Sequence, residues 1–269
     1  MSISPDFPAE TPIHELEARG FRIGEKGTHS SRTIMLEELR LLLAECPPNA
    51  TREDYAAAII DRNCLGKRTE SVRRSSNQRL GELYSLHTSV ALFSVFRELW
   101  YFDTSGRPLL ALLLALARDP LLRFSATSVL RLRPGEEFTR PPMDQALRDA
   151  VGERMNDNIR AKVMRNAASS WTQAGHLEGR VRKIRHRVAP TPFATAYALF
   201  LGYAAGLRGT KLFSTPWMRV LDANYHQHLG LAAEAHRIGL LDLRQAGGVV
   251  DISFRHFSEY IQTNGYGKN

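Results

Sequence analysis

The chain has 269 residues, 43% hydrophobic and 24% charged, a globular composition that excludes collagen-like, mucin-like and low-complexity architectures. Thirty-six lysines and arginines against 28 acids give a net charge of +8, which points toward an acidic polymer or surface as partner. Cys46 and Cys64 are the only cysteines, too few for a disulfide framework and without C-x-x-C zinc spacing, so a reducing cytoplasm is the expected setting.

Residues 1–28 read as an irregular arm punctuated by Pro5, Pro8, Pro12, Gly20, Gly24 and Gly27. Its acids, Asp6, Glu10, Glu15 and Glu17, and its lack of an apolar run argue against a secretory or transit peptide. A helix-turn-helix module is expected over 29–88. Ile34, Leu36, Leu39, Leu42 and Leu43 recur at helical spacing until Pro47-Pro48 stops them. Thr51 and Asp54 have capping-box spacing and open a second helix, with Tyr55, Ile59 and Ile60 as its buried stripe. Thr69 or Ser71 opens a third that runs to about Ser85. At 100° per residue its Thr69, Val72, Ser76, Leu80 and Leu83 face inward. Ser71, Arg74, Asn77 and Gln78 then face outward, with Arg73 and Arg79 at the flanks and Arg62, Lys67 and Arg68 in the lead-in turn. Arginine on guanine, Asn or Gln on adenine, and flanking cations on phosphate are the pairings that duplex DNA rewards. Arg68, Ser71, Arg73, Arg74, Asn77 and Gln78 are therefore candidate DNA contacts.

Residues 89–140 read as a buried helical scaffold, with Asp103-Thr104-Ser105-Gly106 turning between two apolar helices. Its greasiest run, Leu109 to Ala117, is about half the ~20 apolar residues a membrane span needs, so a core helix is expected and no membrane partner. Pro134-Gly135 and Pro141-Pro142 mark a module boundary.

A winged-helix module with a basic wing is expected over 141–190. After a short helix near Met143 to Val151, Ile159, Val163, Ala167, Trp171 and Ala174 form one side of a second helix that Gly175 ends. Lys162, Arg165, Ser169 and Thr172 point away from that stripe, with Asn166 and Gln173 at an edge. Arg180, Arg182, Lys183, Arg185 and Arg187 then crowd a short ribbon whose apolar members are Val181, Ile184 and Val188. From Asn158 to Val188 there are eight Lys or Arg and one carboxylate, Glu178. Helix, glycine stop and basic ribbon suit a helix in a major groove with a wing on the backbone or minor groove. Lys162, Arg165, Ser169, Thr172, Gln173, Arg180, Arg182, Lys183, Arg185 and Arg187 complete the candidate set.

Residues 191–257 read as a C-terminal helical unit with a nearly neutral β-hairpin turning at Ala246-Gly247-Gly248, suited to packing or partner contact, and 258–269 as a frayed tail. The chain carries no P-loop, dinucleotide, H-E-x-x-H or G-x-S-x-G signature. His226 and His228, two apart on a helix, point to different sides, and Cys64 beside Lys67 and Arg68 reads as structural. No catalytic residue, cofactor or metal ligand is expected.

The GKRTESVRRSSNQRL stretch, the Leu-rich block and the VMRNAASSWTQAGHL helix running into a ribbon resemble the BrxA family, accessory components of BREX bacteriophage-defence systems. The resemblance spans residues 30 to 190 and leaves the unit beyond residue 200 outside it. It implies helical DNA-binding modules without an enzymatic centre, in a bacterial cytoplasm, with other defence-system proteins as further partners. Together these readings predict a mainly α fold with tandem helix-turn-helix and winged-helix modules on a helical scaffold, carrying short β-hairpin wings. The expected function is non-enzymatic double-stranded DNA binding. The competing readings are a helical RNA-binding or protein-assembly scaffold, a transcriptional regulator, and an enzyme with a dispersed site.

Overall fold

A computed structural model describes residues 10–257 and 259–260, so residues 1–9 of the expected arm and nearly all of the expected tail lie outside it. The described chain is mainly helical with two small antiparallel sheets. Its first part departs from expectation: in place of an irregular arm, Ile13–Arg19 forms helix α1. Seven residues are too few for a helix that stands alone, so tertiary contacts hold it. Leu16 and Phe21 are fully buried, Arg19 donates to the Ala204 carbonyl at 2.7 Å, and Gly20, at φ +111°, ends the helix by turning its N–H back to Leu16 and Glu17. A single 3-10 turn follows at Thr28–Ser30.

Helices α2 (Leu36–Glu45), α3 (Arg52–Ile60) and α4 (Glu70–Tyr84) fall in the predicted stretches, but α2 starts only at Leu36, so Ile34 of its expected stripe lies before the helix. The Thr51–Asp54 capping box is complete, and Thr69 caps α4 by accepting the Val72 N–H. On α4, Ser76, Leu80 and Leu83 are buried as the projection requires, but Val72 is 40% exposed, because the first turn runs past the edge of the packed face.

Helices α5 (Ala91–Phe102) and α6 (Arg107–Arg118) form the centre. Every residue of α6 from Leu109 to Arg118 is buried, and α4, α5, α7 (Pro120–Leu130), α9 (Asp157–Gln173) and α10 (Pro192–Ala204) pack around it. That encirclement explains a helix apolar on all sides. Among the described residues, no helix is long and apolar enough to cross a membrane.

The sequence boundary near residue 140 cuts through a packed unit. Helix α7 packs on both α8 (Arg140–Val151) and α9, and β1 (Glu137–Phe138) joins β2 (Leu177–Glu178) and β3 (Lys183–Arg185) in a sheet ordered β1-β3-β2. Ile184 stands opposite Glu137 on one side and Glu178 on the other. The expected two-stranded ribbon is thus a three-stranded sheet whose third strand comes from the segment assigned to the scaffold. The C-terminal unit holds α10, α11 (Pro216–Arg219), α12 (Tyr225–Arg237) and a hairpin of β4 (Asp242–Ala246) and β5 (Val249–Ser253). Gly247 and Gly248 both take positive φ, which a two-residue hairpin turn with the right twist requires.

Candidate nucleic-acid interface

Asn156 caps α9 by accepting the Ile159 N–H, and four residues of the predicted stripe, Val163, Ala167, Trp171 and Ala174, are buried. Ile159 is not: it is 37% exposed, and Arg160 takes the inward position, held by Asp144 at 2.6 Å and by Asp157. The outward face is a straight stripe of Asn158, Lys162, Arg165, Ser169 and Thr172, exposed at its first three members and half-buried at the last two.

The stripe runs into the β2–β3 ribbon. Lys183 Nζ donates to Thr172 Oγ1 at 2.8 Å and to the Gly179 carbonyl at 3.2 Å, tying the ribbon to the last turn of α9. Partial burial pulls the Lys183 ammonium pKa below the usual lysine value. Gly179 sits at φ +104°, and a Cβ there would lie 2.0 Å from the Arg182 carbonyl oxygen, so only glycine lets the ribbon turn so tightly. The turn holds Arg180, Val181 and Arg182 in solvent, with Val181 93% exposed at the tip. Arg182 pairs with Glu137 across the sheet at 2.7 Å, and that hydrogen bond holds the Glu137 carboxyl below its ordinary range. Lys162, Arg165, Arg180 and Arg187 are exposed and carry no ion pair among the described residues.

Two members of the candidate set serve the interior instead. Arg185 is 3% exposed and pairs with Asp222 and the His186 carbonyl, so it cannot reach a phosphate; with Asp222 it fastens the ribbon to the turn before α12. Gln173 Oε1 accepts the Leu36 N–H at 3.1 Å and positions the start of α2. Nearby, His176 is fully buried and Nε2 bonds the Val220 carbonyl at 2.7 Å. Burial lowers the His176 pKa to about 4.

The α4 candidates lie apart from this surface in character. Arg68 and Ser71 are exposed. Arg74 pairs with Glu70 at 2.6 Å, and Gln78 donates to Glu82 at 2.9 Å. Arg73 and Asn77 are half-buried, and Arg73 Nε and Asn77 Oδ1 are shut off from solvent without a partner. In the same module Arg62 pairs with Glu45, Lys67 with Glu38 and Arg79 with Glu82.

Behind α9 lies a constellation absent from the sequence reading. His29 Nδ1 is 2.8 Å from Asp119 Oδ2 and its Nε2 is 2.8 Å from Ser170 Oγ, the connectivity of a Ser-His-Asp triad. All three residues are at most 1% exposed, and Ser170 Oγ, midway along α9, also accepts the Ile34 N–H at 3.0 Å and bonds the Asn166 carbonyl at 2.7 Å. A substrate has no approach to that oxygen. The arrangement is a latch holding the 3-10 turn, α7 and α9 together, with Asn166 Nδ2 donating to the His29 carbonyl at 2.8 Å. Burial pushes the Asp119 carboxyl up, but His29 and backbone N–H donors outweigh it, and its pKa ends below the ordinary value. Segments 90 and 141 residues apart from His29 meet here, so no local spacing could reveal it.

His228 is buried while His226 is exposed, so the two do not converge, and among the described residues no group of three His, Cys, Asp or Glu is placed to hold a metal ion. Burial raises the Cys64 thiol pKa to about 11, the opposite of an activated thiolate. No protein-family model matches the chain, and no curated protein sequence is significantly similar to it.

Proposed function

We propose that the chain is a non-enzymatic winged-helix protein that binds double-stranded DNA through α9 and the Gly179–Arg182 turn. The reading is supported by the order α7, β1, α8, α9, β2, turn, β3 with its β1-β3-β2 sheet, the order in which a winged helix presents its third helix, the second of its helix-turn-helix pair, to a major groove. The observation that carries it is the continuity of the surface: Lys162 and Arg165 on the α9 stripe, joined through the Thr172–Lys183 bond to Arg180 and Arg187, four exposed cations with no ion pair among the described residues, the nearby Glu178 facing His186 at 2.8 Å. Phosphates would supply the missing counter-charge, while Asn158, Ser169 and Thr172 offer hydrogen bonds to base edges. The α2–α4 unit, proposed as a helix-turn-helix, serves chiefly to buttress α9 through Gln173 and Ser170. A bacterial cytoplasm, a phage-defence role and defence-protein partners are carried by the BrxA resemblance and are tested by the neighbouring genes.

The test is a salt titration of binding to matched duplex DNA, single-stranded DNA and duplex RNA, with wild type and a K162Q/R165Q/R180Q/R187Q variant. Duplex DNA should bind best, and the variant should flatten the salt slope by about 0.9 per lost phosphate contact. Equal or tighter binding to RNA, or an unchanged slope, overturns the reading. Arg185 is left in place because its loss would unfasten the ribbon.

A further inference from the structure

A second basic site lies away from α9 and the wing. A cleft of about 460 Å³ opens between the end of α2, with Pro47 and Pro48 after it, and the corner where α5 turns into α6. That volume lies within the roughly 300–1,000 Å³ range of small-ligand pockets. Arg40, Arg97 and Arg107 line it, against a single carboxylate, Glu45, which already faces Arg62 at 3.3 Å. Its one thiol, Cys46, is held protonated by burial.

Arg97 is the informative member. It is 4% exposed, and no carboxylate among the described residues pairs with it. Nη2 donates to the Leu43 and Cys46 carbonyls at 3.1 and 2.8 Å, which closes the C-terminal end of α2, and the guanidinium also lies against the buried Tyr55 hydroxyl, a neutral partner that supplies no counter-charge. A buried guanidinium without a counter-charge is costly, and an anion in the cleft would relieve that cost. Arg107 sits over the Trp100 ring, 5.4 Å from its centroid, so its guanidinium is fixed at the rim. Arg40 is held only by an exposed contact with Glu37 at 3.5 Å, a pairing weak enough to yield to a ligand. Beside these cations Tyr101 is 62% exposed, in edge-to-face contact with Phe102 at 5.2 Å, an aromatic surface at the edge of a small cleft.

Convergent arginines around an aromatic surface match a ligand that is both anionic and planar. We propose that this cleft binds a nucleotide, stacking its base on Tyr101 and holding its phosphate with Arg97, Arg107 and Arg40. The site shares no residue with the proposed duplex surface, so it can fail or stand independently of it.

Titration calorimetry of the full chain with AMP, adenosine and inorganic phosphate tests the proposal. AMP should saturate the protein at millimolar concentration or below, with adenosine and phosphate each roughly tenfold weaker. Tyr101→Ala and Arg107→Gln alter a residue exposed at the rim and one half-buried, and each should weaken AMP at least about fivefold while leaving duplex DNA binding unchanged. No saturation by AMP, or unchanged AMP binding in both variants, overturns the site. Phosphate binding as tightly as AMP overturns the role of Tyr101, and adenosine binding as tightly overturns that of the arginines.

Discussion

The α4 unit and the α9 unit carry similar lines of cations along the sequence, yet fold them to opposite ends. Around α4, Arg62, Lys67, Arg74 and Arg79 each meet a glutamate of the same chain and Arg73 is half-buried, which leaves Arg68 as the exposed cation of this unit with no ion pair among the described residues. On α9 and its ribbon, Arg182 meets Glu137, but Lys162, Arg165, Arg180 and Arg187 meet none among the described residues. Paired charges cancel one another's field within a Debye length, whereas unpaired ones project it toward a polyanion. A run of basic residues thus marks a binding surface only once the fold has decided where the acids go.

The largest effect tests the sorting of cations within the ribbon itself. Arg185→Gln leaves Asp222, 12% exposed at its side chain, without its buried counter-charge, and removing one partner of such a pair costs about 3–5 kcal/mol. Chemical denaturation should show that loss, while Arg187→Gln, two residues on and exposed, should leave stability within about 0.5 kcal/mol. Equal stability of the two variants would break the distinction between the inward and outward cations. His176, near the same pair, titrates with a consistent sign. Its folded pKa, lowered to about 4, lies below the unfolded value near 6.5, so the stability it contributes is complete above that range and is lost as pH falls from about 6.5 toward 4. His176→Asn should flatten that part of the stability–pH curve.

Much of this was legible in the sequence, and the rest was not, for physical reasons. The Thr51–Asp54 box, the Pro47-Pro48 stop and the Gly247-Gly248 turn are local chemistry, and each element formed where that chemistry places it. Arg185 could not be told from Arg187, because strand alternation puts positions 183, 185 and 187 on one face and the deciding acid, Asp222, is 37 residues away. Strand β1 has two residues, too short for any periodic signal, and it exists because Ile184 and Lys183 of β3 lie opposite it. Gln173 looked like a base reader because it sits at the edge of the outward face; what claims it is the uncapped N–H of Leu36.

Next in size is the surface itself. The K162Q/R165Q/R180Q/R187Q variant should lose about a hundredfold in duplex affinity at moderate salt, since each phosphate contact contributes about 0.9 to the salt slope. Its thermal midpoint should hold or rise, because the removed charges repel one another and are paired with no acid among the described residues. A fall in stability would mean that these cations support the fold, as those of α4 do. The latch behind α9 sharpens the contrast further. Ser170→Ala strands the Ile34 N–H and the His29 ring in the interior, a loss of about 1–3 kcal/mol measurable by denaturation. Because Asp119 has its folded pKa below the unfolded one, its share of stability is present above the ordinary carboxylate range and disappears as pH falls through the lowered value.

The smallest expected effect is on α4, and it decides whether the comparison is about charge or about pairing. Arg74→Gln removes a cation whose guanidinium already faces Glu70 at 2.6 Å, so the field reaching a duplex hardly changes. Duplex affinity should fall by less than about threefold and stability by no more than about 0.5 kcal/mol, the worth of an exposed helical pair. Glu70→Gln is the sharper probe, since it releases Arg74 without moving it. If duplex binding tightens and the salt slope steepens in E70Q, then α4 is a basic surface held in check by its own acids. An unchanged slope in E70Q, with the loss confined to the α9 and wing variant, would place duplex binding entirely on the second unit and leave α4 as its buttress.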